Sequence, residues 1–172
     1  MSANPRPSER ALGGQTLRSM TLAALDGVVA LEAEVYPFPW TRGNFVDSIA
    51  AGYPAWTLNG SGGELIAYCV AMRGAGEIHL LNITVAPVAR RHGHARRLLD
   101  ALVALCREEA AERLWLEVRL ANVEAQTTYL RLGFTKIGVR KGYYPAPAGT
   151  REDAVVMSLV VDPAPGGRDA LE

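Results

Sequence analysis

Residues 77–111, EIHLLNITV-APVARRHGH-ARRLLDALVALCREEAA, read as strand, loop and helix, and the rest of the chain can be placed around them. Glu77–Val85 is so apolar and β-rich that a mid-sheet position is expected. From about Ala95 to Ala111 the spacing predicts a helix, with Leu98, Leu99, Leu102, Val103, Leu105 and Cys106 forming one broad apolar face. Between them, residues 90–97 hold four arginines and two histidines in eight positions. The first N–H groups of a helix lack intrahelical acceptors and carry the positive end of its macrodipole. Gly93 and Ala95 leave the backbone bare there, so a phosphate can approach the amides closely. The same residues also suit a solvated basic turn that sets the helix entry, and charge alone does not choose between the two.

Towards the N-terminus, Thr16–Leu22 alternates weakly as a first strand. Asp26 is a plausible N-cap for a helix to about Val35, with Val28, Leu31 and Val35 on one face. Tyr36-Pro37-Phe38-Pro39-Trp40 stops it, because prolines cannot continue a helix. Thr41 can cap a second short helix through Ile49. Ala55–Asn59 and Glu64–Arg73 flank the turn NGSGG and give a hairpin signal. On the other side, Leu114–Arg119 is a short strand, and Val123–Leu132 a helix ended by Gly133. Phe134–Tyr143 and Asp153–Val161 read as closing strands around PAPAGTRE. The order β-α-α-β-β-β-α-β-α-β-β fits a mixed α/β (α+β) sheet with helices on both faces.

The length of 172 residues predicts a single domain, over 16–161. Residues 1–15 and 162–172, rich in Pro, Gly and charge, read as flexible tails. Eighteen basic and 18 acidic side chains give a formal net charge of zero, which argues against a broadly cationic nucleic-acid coat or a polybasic membrane binder. Sixteen of the basic residues are Arg, so anions here meet forked, permanently charged guanidinium groups. Cys69 and Cys106 lie in apolar runs and read as buried thiols in a reducing compartment. No apolar run approaches the ~20 residues of a membrane span. The first 15 residues lack the apolar segment of a secretory signal, so a cytoplasmic location is expected. His92 and His94, at i and i+2 without a third ligand, make a poor metal site, and no metal is expected.

In LWLEVR, period-two alternation places Leu114, Leu116 and Val118 on one face and Trp115, Glu117 and Arg119 on the other. Glu117 can form an ion pair with Arg119 or another arginine, or it can act as a base. Asn122 and Tyr129 are seven residues apart, two helical turns, so both can face one side. Taken alone, Tyr129 reads as an amphipathic core residue with its hydroxyl at the edge.

Together these segments carry a resemblance. Arg90-Arg91-His92-Gly93-His94-Ala95, after a strand and before a helix, resembles the (Q/R)-x-x-G-x-(G/A) pyrophosphate loop of the GNAT acetyltransferase superfamily. EVRLANVEAQTTYLRLGF is similar to E-V-R-x-x-N-x-x-A-x-x-x-Y-x-x-x-G-F of its bacterial ribosomal-protein-alanine N-acetyltransferases (RimI). YPFPW resembles that subgroup's (A/Y)-x-F-P-W, and Tyr143-Tyr144-Pro145 with Gly149, Arg151-Glu152-Asp153-Ala154 and Met157 resembles its N-Y-Y-P…G-R-E-D-A-x-x-M ending. The likeness spans about residues 17 to 160. It implies a mostly antiparallel sheet and transfer of acetyl from acetyl-CoA to the N-terminal amine of a protein, a small-subunit ribosomal protein above all. By the same resemblance Glu117 is the general base and Tyr129 the acid that protonates the leaving thiolate. Ile83, Thr84, Val85, Arg91, His92, Gly93, His94, Ala95, Arg96 and Asn122 would contact acetyl-CoA. Trp40, Tyr143 and Tyr144 would border the peptide entrance, although the aromatics can also simply pack. Gly142 stands where the subgroup usually has Asn. The alternatives are acetylation of lysine side chains or small amines and, in a different class, a non-catalytic RNA-binding module. The chain lacks an aromatic stacking strip beside its arginines, so no direct nucleic-acid partner is expected, nor a membrane.

Overall fold

The computed structural model describes residues 14–162, so both tails assigned from composition lie almost wholly outside the described residues. The elements are β1 (Thr16–Ser19), α1 (Leu25–Val35), α2 (Arg42–Ala50), β2 (Ala55–Asn59), β3 (Leu65–Arg73), β4 (Glu77–Val85), α3 (His94–Glu108), β5 (Arg113–Arg119), α4 (Val123–Arg131), β6 (Thr135–Pro145) and β7 (Arg151–Val160). This is the order read from the sequence, with three short 3-10 turns added. The strands are hydrogen-bonded in the order β1-β2-β3-β4-β5-β7-β6. Pairs β1–β2, β2–β3, β5–β7 and β6–β7 are antiparallel. The fold is therefore the mixed, mostly antiparallel sheet with helices that the sequence pointed to, with β4 at the middle position.

The described residues form two compact units: those up to Arg73 with Leu80–Leu99, and Gly74–His79 with those from Asp100 onward. In the first, Met20, Leu25, Val28, Leu31, Phe45, Ala55, Tyr68 and Val70 form a buried cluster with Trp40 packed against it. Asp26 does not cap α1, because the helix starts earlier, with Ala24 at the N-cap position. Asp26 lies in the first turn instead, where it pairs with Arg42 at 2.6 Å. Thr41 caps α2 in a full capping box with Asn44, an arrangement worth about 1 kcal/mol.

In the second unit, Leu114, Leu116 and Val118 of β5 are buried, and Glu117 lies on the opposite face as the alternation requires. Across β7, Glu117 is in register with Val156 and Arg119 with Ala154. On the other side of β7, Arg140 of β6 also faces Ala154. Before Tyr144 the β6 register breaks in a bulge. At its centre Gly142 has φ +58°, a left-handed conformation in which Gly and then Asn are the favoured residues. The departure from the subgroup's Asn is thus between two residues suited to the same backbone.

Candidate active site

Glu117 of β5 carries a buried carboxyl group in the second unit. Its side chain is 5% exposed. Oε2 lies 2.5 Å from Nε2 of His79, whereas Oε1 is buried with no hydrogen-bond partner among the described residues. Arg140 Nη1 stands 3.3 Å from Oε1, an ion-pair distance without hydrogen-bond geometry. Glu117 is therefore not simply the counter-ion of Arg119, which pairs with Glu152 at 2.8 Å. One oxygen is held, and the other is a desolvated acceptor without a donor, which is costly for structure alone. That is the arrangement a proton acceptor needs.

Around it are the tyrosines. Tyr143 and Tyr144 are edge-to-face at 4.9 Å, with Arg140 over the Tyr143 ring and Arg119 over the Tyr144 ring. Burial pushes both phenols above the ordinary tyrosine value, and the negative charge of Glu117 adds to this. Both remain neutral at physiological pH. The Arg151-Glu152-Asp153 triplet, matched in the sequence only as part of a motif, fixes the bulge that carries them. Arg151 donates to the carbonyls of Gly142 and Tyr143, and Asp153 Oδ1 accepts from Gly142 N–H at 2.8 Å. Glu152 Oε1 accepts from Ala121 N–H while Oε2 meets Arg119, and these contacts hold its carboxyl below the usual range.

Tyr129 is half-buried on α4, its ring 5.7 Å from that of Phe134. Asn122 is the N-cap of α4, and its Oδ1 accepts from Ala125 N–H at 3.1 Å. It lies outside the helical turns, so the two-turn spacing from Tyr129 does not place both side chains on one helix face. Buried Gln126 was not singled out in the sequence, and no local signal marks it. Its amide donates to the carbonyls of Arg119 and Leu120, tying the end of β5 to α4.

In the first unit, Arg97 N–H bonds to Gly93 C=O, which makes Gly93 the N-cap of α3. The amides of His94, Ala95 and Arg96 are then first-turn donors without intrahelical acceptors. Arg91 and Gly93 both have positive φ, +63° and +78°. A non-glycine residue in this region costs of order 1 kcal/mol, and such turns form anion-binding concavities. Burial, with Arg97 and His92 nearby, holds His94 below the ordinary histidine value, so its imidazole stays neutral. The arginines supply the charge. The loop therefore fits a phosphate by backbone shape, by donors and by charge.

Ile83, Thr84 and Val85 end β4. Thr84 is buried, and Ile83 C=O accepts from the Tyr36 hydroxyl at 3.0 Å. Behind them is a polar network around Glu32, which is 2% exposed. Glu32 accepts from Trp40 N–H at 2.9 Å, from Asn82 Nδ2 at 3.1 Å and from the Tyr68 hydroxyl. Thr84 Oγ1 in turn donates to Tyr36 or to Asn82 Oδ1. Trp40 is half-buried against Phe45 at 5.3 Å, so part of it does plug the helix junction. Neighbouring Phe38 is 41% exposed.

Among the described residues no three His, Cys, Asp or Glu gather as metal ligands, and no helix is long and apolar enough to cross a membrane. The model of the acetyltransferase (GNAT) family matches residues 25–134. A Haemophilus ducreyi protein named ribosomal protein bS18-alanine N-acetyltransferase is 36% identical over 75% of this chain and 88% of its own length. Its Escherichia coli namesake is 32% identical over 85% and 97%. The crystal structure of the ribosomal-protein-S18-alanine N-acetyltransferase from Escherichia coli superposes with a TM-score of 0.79 at 31% identity, covering 92% of this chain and 99% of that one.

Proposed function

Because the chain belongs to the acetyltransferase (GNAT) family, in its ribosomal-protein-alanine N-acetyltransferase branch, we propose that it moves acetyl from acetyl-CoA to the N-terminal α-amine of a protein. The substrate in this reading is the N-terminal alanine of a small-subunit ribosomal protein, and the site of action is the cytoplasm. The observation that carries the chemistry is the buried, unbonded Oε1 of Glu117 beside an Oε2 that is already held.

Attack on a thioester needs a neutral amine. An α-amine has an ordinary pKa of about 7.7–8.0, whereas a lysine ammonium lies near 10.4. A carboxylate base that takes the proton as the C–N bond forms therefore suits the α-amine better. In this reading Glu117 Oε1 accepts the amine proton, and Tyr129 O–H protonates the departing CoA thiolate. The amides of 94–96 and the arginines of the loop hold the pyrophosphate, with Ile83–Val85 and Asn122 along the pantetheine arm. Trp40, Tyr143 and Tyr144 border the peptide. Attack is direct. Burial raises the Cys69 thiol to about 12 and the Cys106 thiol to about 11, so neither offers a thiolate at neutral pH.

The test is acetylation, read by mass spectrometry, of an alanine-starting peptide against an N-blocked peptide with an internal lysine. The first should be acetylated and the second left largely untouched. Preference for the lysine peptide would overturn the α-amine assignment. Two variants test the roles. Gly93→Asp puts bulk and negative charge into the phosphate cradle and should weaken acetyl-CoA binding about tenfold or more by calorimetry. Tyr129→Phe should lower kcat about tenfold or more with acetyl-CoA affinity nearly intact.

A further inference from the structure

The general-base reading leaves one neighbour of Glu117 without a role. His79 lies within the apolar strand EIHLLNITV, and its side chain is 21% exposed. Its Nε2 sits 2.5 Å from Glu117 Oε2, the one hydrogen bond to this carboxylate among the described residues. A carboxyl group turns broadly about its terminal torsion, because sp³–sp² torsions have no sharp staggered wells. Arg140 attracts Oε1 but does not fix its direction, since its own side chain is 53% exposed and off hydrogen-bond geometry.

We propose that His79 is a positioning residue for the acetyl transfer: its Nε2–H, donated to Glu117 Oε2, locks the carboxylate so that Oε1 faces the incoming amine. The tautomer follows from chemistry. An ionised carboxylate only accepts hydrogen bonds, so the ring nitrogen facing it carries the hydrogen. The role is geometric: the amine proton goes to Glu117 Oε1, and His79 neither gains nor loses one. Misplacing a reacting group by about 1 Å can cost 10²-fold in rate. A base that must find its orientation in each turnover therefore loses kcat while binding is untouched.

This inference rests on Glu117 being the base, and the experiment separates the two. Full-length wild type, His79→Ala, His79→Gln, Glu117→Gln and the double variant His79→Ala/Glu117→Gln are assayed with acetyl-CoA and an alanine-starting peptide. Rates are expressed per acetyl-CoA-binding molecule, counted by calorimetry, so that any misfolded fraction drops out. His79→Ala should lower kcat about tenfold or more, with peptide KM and acetyl-CoA affinity within about twofold. His79→Gln, whose amide N–H can reach the same oxygen, should recover to within about threefold of wild type. In the Glu117→Gln background His79→Ala should change nothing further, because there is no base left to orient. A His79→Ala kcat within twofold of wild type overturns the proposal. So does a His79→Gln no better than His79→Ala, or an undiminished His79→Ala effect without Glu117. A fully active Glu117→Gln overturns the base reading itself.

Discussion

Glu32 and Glu117 are both buried carboxylates, and they are built in opposite ways. Glu32 sits in the first unit with Trp40 N–H, Asn82 and Tyr68 donating to its two oxygens. Glu117 sits in the second with one oxygen on His79 and the other unbonded. A desolvated carboxylate is tolerated when its lone pairs are filled, and its removal then strands the donors. A carboxylate left half-filled gives up stability to keep one atom reactive. Burial does not distinguish these two carboxylates. Satisfaction of the oxygens does.

The largest effect on stability is expected where the donors converge. Glu32→Gln presents an amide to three donors with one acceptor oxygen, so at least one donor faces another N–H. Chemical denaturation should show a loss of about 1–3 kcal/mol, and the peptide role proposed for Trp40 predicts weaker peptide binding once Glu32 no longer holds its N–H. Glu117→Gln, in contrast, should cost less, under about 1 kcal/mol, because the amide oxygen can still accept from His79 and Arg140 stays half-exposed to solvent. If the two stabilities came out the other way round, the contrast between the carboxylates would be wrong. Tyr68→Phe removes one donor of three and should cost about 1 kcal/mol, less than Glu32→Gln because the carboxylate keeps two partners.

Smaller effects probe the bulge that carries Tyr143 and Tyr144. Gly142→Ala should destabilise by about 1 kcal/mol because of its positive φ, and Gly142→Asn by less. Equal losses would mean that the backbone conformation is not what selects the residue. Glu152 has a pKa below its unfolded value, so its contribution is present above the ordinary glutamate range and lost as pH falls through the lowered value. Glu152→Gln should therefore flatten the acid side of the stability profile and leave the alkaline side unchanged.

How much of this was legible in the sequence follows from the range of the interactions. Local signals were read well: Thr41 as a cap, Gly133 at positive φ after α4, and the alternation that puts Glu117 opposite Leu116. The motif loop was also placed correctly, from Gly93 into α3. Asp26 misled because a good capping residue two positions past the N-cap looks the same in sequence as one at the N-cap itself. The missed residues act across distances that no spacing encodes. His79 is 38 positions from Glu117, and Glu32 is 36 from Tyr68 and 50 from Asn82. An acidic residue inside an amphipathic helix and a histidine inside a strand look ordinary until the chain brings their partners to them.

The most direct measurement is the rate at which Glu117→Gln acetylates an alanine-starting peptide with both substrates saturating, alongside its acetyl-CoA affinity by calorimetry. A lost general base should slow kcat about 100-fold or more, while acetyl-CoA binds as tightly as to wild type. Acetylation at the wild-type rate would show that the unbonded oxygen of Glu117 takes no proton in the reaction.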